Sequence, residues 1–230
     1  MRPEQLFKSK RSEEIQKLGE NEAIAELTNS WMNAANKLKY SYHYEWQGRP
    51  IIQYPQDIVA MQELIWEVKP DLIIETGIAH GGSLVFSASM LALLDISDAI
   101  KSGSNLNPEK TKRKVLGIDI DIRAHNREAI EAHPMSSRIH MIQGSSIASN
   151  VIDQVKDIAK NYERVLVCLD SNHTHEHVLA ELKAYAPLTS VSSYCVVFDT
   201  IIEDMPTEMF PSRPWSRGNN PKTAVWEYLK

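Results

Sequence analysis

The chain has 230 residues, a formal net charge of −5 and 43% hydrophobic content, enough for one large domain with a sizeable core, or one domain with an N-terminal attachment. No block of Lys or Arg marks a nucleic-acid footprint, and the acidic balance argues against a polyanionic partner. Apolar runs such as Leu72–Ile74 and Tyr194–Phe198 are too short to span a bilayer, and two cysteines build neither a disulfide framework nor a Cys-based zinc site.

The first residues are polar and carry no apolar signal region, so the expected address is the cytosol. Residues 1–50 read as an N-terminal helical and aromatic arm, ahead of a main domain over 51–230. Within the arm, residues 11–40 are mostly polar. Their scattered apolar positions (Ile15, Leu18, Ile24, Leu27, Trp31, Leu38) predict one or two surface-packed helices. A loop with Tyr40, Tyr42, Tyr44 and Trp46 follows, and its aromatics either line a pocket or staple the arm to the main domain. That apolar surface exceeds what one domain needs and leads us to expect a homo-oligomer.

Asp57 reads as an N-cap, Ile58, Met61, Leu64, Ile65 and Val68 share a helical face, and Pro70 closes the segment. A regular alternation begins there. Short β-branched runs occupy 71–75, 115–119, 139–142, 165–169 and 194–198, separated by helical stretches at 82–94, 123–132, 147–160 and 175–186. Runs this apolar, alternating with helices, predict parallel strands covered on both faces: an α/β, doubly wound, mostly parallel sheet with its ligand crevice at the carboxyl ends of the strands. Residues 97–114 read as a surface insertion, and the proline-rich stretch 203–221 as a lid-like loop over the crevice. Asn220-Pro221 then opens a last helix as N-cap and N1.

The chemistry gathers at the strand ends. The first run leads into Glu75-Thr76-Gly77-Ile78-Ala79-His80-Gly81-Gly82-Ser83, a glycine-containing strand-to-helix turn. It matches neither the dinucleotide GxGxxG pattern nor a P-loop. A carboxylate here repels a pyrophosphate but suits a cation, such as the amino group or sulfonium of S-adenosylmethionine. It also fits a plain tight turn with a helix cap. The second run ends in Asp119, placed to take the hydroxyls of a ribose, and the third in Gly144-Ser145-Ser146, where a polar group meets an adenine edge. Three such tips describe a nucleoside site better than any one of them. The fourth and fifth runs end in Asp170 and Asp199, which together suit Mg²⁺ and can lower the pKa of an acceptor hydroxyl; Asp170 also fits as the cap of the next helix. The run His173-Thr174-His175-Glu176-His177 invites a zinc or iron reading, but it lacks the HExxH order and residues 178–230 hold no histidine. His173, beside Asp170, fits better as a general base or substrate contact. Cys168 and Cys195 sit in apolar runs and read as inert.

The stretches Pro70–Gly77, Gly117–Arg123, Leu169–His175 and Arg213-Pro214-Trp215 resemble the cephalosporin hydroxylase family, which also contains rhamnosyl O-methyltransferases. The likeness runs from about Tyr44 to the end. It implies a class I, Rossmann-like S-adenosylmethionine-dependent methyltransferase with Mg²⁺ beside the donor and a hydroxyl acceptor on a small molecule: a deoxyhexose of a glycan or glycolipid, or a small natural product. Carried over by position, Glu75, Gly77, Gly81 and Ser83 hold the methionine part, Asp119 the ribose and Ser145 the adenine side, with Asp170 also beside the donor. Asp170 and Asp199 match the metal acids; read from the residues themselves, His173 and Asp170 are the catalytic candidates, and Arg213 and Trp215 on the proline-rich loop fit as acceptor contacts, with Trp215 fitting equally as a buried anchor of that loop. Where a better-known relative has Glu-Asp at the fifth strand, this chain has Phe198-Asp199. The resemblance also implies a final antiparallel strand pair, and no run before Lys230 supplies one. Two alternatives stay open: an oxygenase component, as the family name suggests, and a non-catalytic adenosyl-binding subunit.

Overall fold

A computed structural model of the chain describes residues 2–107 and 111–230. It opens with helices α1 (Pro3–Gly19) and α2 (Glu22–Lys37), followed by a short antiparallel hairpin of β1 (Tyr44–Trp46) and β2 (Arg49–Ile51). The expected packing of the arm differs from what is observed. Ile15, Leu18, Leu27, Trp31 and Leu38 are exposed, and Met32 is the one buried position of α2. The apolar residues of α1 are scattered around its circumference, so the helix has no stripe to lay on the domain. Of the aromatics, Tyr40 packs edge-on to Trp31 at 4.9 Å and Tyr44 at 5.4 Å and stacks on Tyr54 at 6.1 Å. Trp46 meets Phe86 edge-on at 4.9 Å and donates from Nε1 to Ser89 Oγ at 3.0 Å. These rings fasten the end of the arm.

Helix α3 (Pro55–Val68) buries Met61, Ile65 and Val68, with Ile58 and Leu64 half-buried beside them. Its N-cap is Tyr54 and not Asp57: Pro55, with φ preset and no N–H to lose, takes the first helical position, which moves Asp57 inside the first turn. Lys69 ends the helix in a left-handed conformation ahead of Pro70.

Next come β3 (Leu72–Thr76), α4 (Gly82–Ser102), β4 (Lys114–Asp119), α5 (Ala124–Glu131), β5 (Ile139–Gln143), α6 (Ser149–Ala159), β6 (Val165–Leu169), α7 (His175–Tyr185), β7 (Cys195–Val197) and α8 (Pro221–Tyr228). The five strands β3 to β7 pair in parallel throughout, in the order β5-β4-β3-β6-β7. This is the doubly wound α/β sheet expected from the alternation of apolar runs and helices. The period of two along β3 sends Ile73 towards α3 and α4, where it joins Leu84, Leu91, Val115 and Leu166. Leu72 and Ile74 face the other layer with Leu116, Val155, Val167 and Leu182. Each such fully buried aliphatic contributes about 1.5–3 kcal/mol relative to exposure. The same alternation puts Glu75 on the α4 side, opposite Cys168 in register.

Helix α4 runs eight residues past the expected end and absorbs the start of the proposed insertion. The reason is ionic. Arg113 pairs with Asp95 and Asp98, and Arg138 reaches Asp95 Oδ2 at 2.6 Å, so Asp98, inside the expected insertion, is neutralised on the helix together with Asp95. Residues 108–110 of that insertion lie outside the described residues. As a whole helix, α4 is long and apolar enough to cross a bilayer, with mean hydropathy 1.6 over an 18-residue stretch of which 44% is buried inside the protein. Counting uninterrupted apolar runs overlooked this. Here the helix covers the sheet.

The stretch 203–221 is tied down. Two short 3₁₀ turns, Thr200–Asp204 and Thr207–Met209, lead into it. Glu203 Oε2 then accepts from Gly218 N at 2.7 Å and from Asn220 Nδ2 at 2.5 Å, which holds the Glu203 carboxyl below its usual range. Asn220 caps α8 as expected, its side chain accepting from Lys222 N and Thr223 N.

Candidate active site

The strand order reverses between β3 and β6, and the carboxyl ends of these two strands open onto a large cavity of about 660 Å³. Gly77 follows β3 with φ 88°. A Cβ there would collide with the carbonyl oxygen of Asp170, so this glycine is required by the close approach of two strand tips.

At the tips of β6 and β7, Asp170, His173 and Asp199 converge, each offering one ligand atom within 4.8 Å of the others. His173 Nδ1 lies 3.4 Å from Asp199 Oδ2. Burial pushes the Asp170 carboxyl well above the usual carboxylate range, and the facing Asp199 and nearby Glu75 push it further. Asp199 itself holds a positive φ of 55°, a conformation that a non-glycine residue takes at a cost. Two hard carboxylates and an imidazole short of positive charge make a fitting cradle for a divalent cation. On the outer side, Trp215 meets His173 edge-on at 4.7 Å, and the Arg213 guanidinium lies over the Trp215 ring at 5.1 Å.

The remaining expected site residues fall into three groups. Gly77, Asp119 and Asp170 line the large cavity, as do Arg213 and Trp215. Glu75 and Ser83 do not: they lie behind Gln53 in voids of about 20 and 40 Å³. Ser83 Oγ donates to Glu75 Oε1, and burial raises the Glu75 carboxyl to about 7. Gly81 and Ser145 line none of these spaces.

Asp119 is partly occupied from within. Its Oδ2 accepts from Ile78 N at 2.8 Å and Ala79 N at 3.3 Å, and its Oδ1 from Asp121 N at 3.0 Å. Of the roughly four lone-pair positions of a carboxylate, one on Oδ1 stays open, which suits one hydroxyl rather than two. The three histidines of the 173–177 run diverge. His175 bridges to Thr223 at 2.8 Å and Glu227 at 3.0 Å on α8, while His177 Nε2 meets Ser146 Oγ at 3.0 Å beside the buried Glu181. The zinc or iron arrangement through His173 and His177 is therefore not formed.

Several residues escaped the sequence reading. Gln53 Nε2 donates to Asp170 Oδ2 at 2.9 Å. Arg49 Nη2 donates to His80 O at 2.6 Å and to Asn126 Oδ1 at 3.0 Å, fixing the turn after β3. The arm supplies one wall of the cavity through Met32, Asn36 and Tyr42. Of the two readings of the arm aromatics, Tyr42 thus takes the pocket role and Tyr40, Tyr44 and Trp46 the staple.

Against known proteins, residues 38–230 match the family described as Rhamnosyl O-methyltransferase/CmcI. The chain belongs to this family. Among its curated relatives, the rhamnosyl O-methyltransferase of Mycobacterium leprae (strain TN) is 27% identical over 162 residues, covering 70% of this chain and 62% of that protein. That of Mycobacterium bovis (strain BCG / Pasteur 1173P2) is 29% identical over 154 residues, 65% of this chain and 54% of its own. The chain thus spans between half and two thirds of the length of these relatives. Among solved structures, CmcI with Mg and SAM is similar at 20% identity and a TM-score of 0.48, covering 70% of this chain and 59% of the other. The MycE methyltransferase of the mycinamycin pathway, with Mg, SAH and mycinamycin VI, is similar at 15% identity and a TM-score of 0.49, covering 95% and 52%.

Phe198 stands where the resemblance implies a second acid beside Asp199. Its ring is half-buried against the core that holds Phe86 and Cys168, and it borders both the large cavity and the void at Glu75. Among the described residues, no third carboxylate joins Asp170 and Asp199 within ligand distance.

Proposed function

We propose that this chain is an S-adenosylmethionine-dependent O-methyltransferase that acts, with a divalent cation, on a hydroxyl of a small glycoside, a deoxyhexose such as rhamnose. The observation that carries the reading is the convergence of Asp170, His173 and Asp199 on a cavity at the switch point of a doubly wound sheet. Family membership and the rhamnosyl relatives supply the acceptor class.

When bound, S-adenosylmethionine supplies the methyl group and Mg²⁺ supplies positive charge beside the acceptor hydroxyl. On the protein side, Glu75 and Ser83 serve the methionine end, with Gly77 and Gly81 shaping the turn around it. Asp119 offers its free lone pair to a ribose hydroxyl, and Ser145 stands on the adenine side. Asp170 and Asp199 hold the cation. His173, its Nδ1 turned towards Asp199, takes the hydroxyl proton on Nε2, and Asp199 stabilises the resulting imidazolium. Trp215 and Arg213 give the acceptor a flat wall and, with Phe210, keep water out. Most of the acceleration under this reading comes from orientation and exclusion of water.

The test is methyl transfer from S-adenosylmethionine to methyl α-L-rhamnopyranoside and larger rhamnosides, followed by mass spectrometry with and without Mg²⁺. Mono-methylated product is expected. Binding of S-adenosylhomocysteine without transfer to any hydroxylated acceptor would favour a non-catalytic adenosyl-binding subunit, and no binding at all would sink the donor site.

A further inference from the structure

Gln53 borders all three spaces at the site: the large cavity and both small voids next to Glu75 and Ser83. Its side chain is 9% exposed, and its amide donates to Asp170 Oδ2 at 2.9 Å. The backbone that carries it is pinned at both ends. Arg49 is tied to His80 O and Asn126, and Tyr54 OH donates to Asn36 Oδ1 at 2.9 Å. Between these points, the Pro50 carbonyl presses on Gly82 at the start of α4, at a place where any Cβ would collide. The segment is held on both sides of Gln53, so a turn of that side chain need not move the backbone.

We propose that Gln53 couples the donor and cation sites. This rests on the reading of Glu75 as the donor end and of Asp170 with Asp199 as the cation end. The Gln53 amide donates to Asp170 Oδ2, and the same side chain borders the void at Glu75. A cation held between Asp170 and Asp199 takes over Oδ2 and releases the amide, which uncovers Glu75. A donor settling against Glu75 displaces the same amide from the other side and leaves Oδ2 free for the cation. Each ligand therefore removes an obstacle to the other, and linkage requires the two gains to be equal. Gln53 is a positioning residue here, acting through Asp170 and Glu75.

The experiment is calorimetric titration of the full chain with S-adenosylhomocysteine, at zero and at saturating Mg²⁺, on wild type, Gln53→Ala and Gln53→Leu. The thioether product carries no sulfonium charge, so direct repulsion between donor and metal does not mask the effect. In wild type, Mg²⁺ should tighten the thioether by about fivefold or more, within the usual range of coupling between sites, and the thioether should tighten Mg²⁺ by the same factor. Gln53→Ala, which removes the side chain bordering that void, should bind the thioether without Mg²⁺ about as well as wild type does with it, and should lose the coupling. Gln53→Leu keeps the volume but not the hydrogen bond, so it should lose the coupling while binding weakly in both conditions. An uncoupled wild type would overturn the proposal, and so would coupling that survives in both variants. If wild type binds Mg²⁺ but no thioether under either condition, the donor reading itself falls and takes the coupling with it.

Discussion

Glu75→Gln is expected to stabilise the fold while it damages the site. The carboxyl of Glu75 is 4% exposed, opposite Cys168 on the next strand, and burial raises it from 4.5 to about 7. An acid whose folded pKa lies above its unfolded one binds its proton more tightly in the native state. Its stabilising contribution is complete below pH 4.5 and is lost as pH rises through about 7. At roughly 1.4 kcal/mol per pH unit between those limits, ionised Glu75 costs the native state about 3 kcal/mol at pH 8. A glutamine keeps the shape, can still accept from Ser83 Oγ, and cannot ionise. Urea denaturation of ligand-free wild type and variant should therefore give similar midpoints at pH 4.5 and a more stable variant at pH 8, with the gap opening between pH 5 and 7. Donor affinity should fall at least tenfold, about 1.4 kcal/mol, because the charge that meets the donor's cationic end is gone. A variant equally or less stable than wild type at pH 8, or a gap that does not change with pH, would refute the burial argument. Unchanged donor affinity would refute the role.

Asp170→Asn should abolish Mg²⁺ binding by titration calorimetry and leave S-adenosylhomocysteine affinity within a few-fold; a variant that still binds Mg²⁺ as wild type does removes Asp170 from the cation site. Gly77→Ala drives a Cβ into the Asp170 carbonyl at a positive φ, and the loss should exceed 4 kcal/mol, beyond the usual span of single substitutions; a soluble variant with an unchanged melting temperature contradicts the packing of the two strand tips. Glu203→Ala removes the acceptor for Gly218 N and Asn220 Nδ2, leaving at least one donor unpaired for about 1–3 kcal/mol; limited proteolysis should then cut within 205–219, and protection equal to wild type would show that the loop is held by other contacts. Phe198→Glu should tighten Mg²⁺ by adding a third carboxylate and lower the melting temperature of the metal-free chain; a variant with wild-type Mg²⁺ affinity would show that the ring position does not face the cation.

The centre of the sheet was legible because β3 and β6 are buried along their whole length. Leu72–Ile74 and Val165–Leu169 are apolar at every position, and no surface element reads that way. The strand ends were legible too, since parallel strands put their chemistry at one edge: Asp170, His173 and Asp199 are 29 residues apart in sequence and within ligand distance in space. What stayed hidden depends on partners far along the chain. Asp98 reads as part of a surface insertion until Arg113, just ahead of β4, pairs with it, and Asp95 takes Arg113 and Arg138 together. Asp119 reads as a free ligand until the N–H groups of Ile78 and Ala79 turn back onto it. Gln53 carries no motif, and its position over Asp170 follows from the hairpin that delivers it. The arm misled for the opposite reason: Leu27, Trp31 and Leu38 read as positions that pack a helix on the domain surface, but they are exposed, and Met32 is the buried residue of α2.

A phenylalanine at 198, where the resemblance implies an acid, gains meaning from the charges around it. Glu75, Asp170 and Asp199 already lie close enough for Glu75 and Asp199 each to raise Asp170, while Ser83 donates to Glu75 and Gln53 to Asp170. A fourth acid at 198, bordering the void at Glu75, would face the same low-dielectric space and raise its neighbours further unless a cation were always present. On the proposed reading, the aromatic ring keeps Glu75 apart from the cation end at the expense of a metal ligand, and the positive charges of donor and cation meet Glu75 and Asp170 from opposite sides of the Gln53 amide.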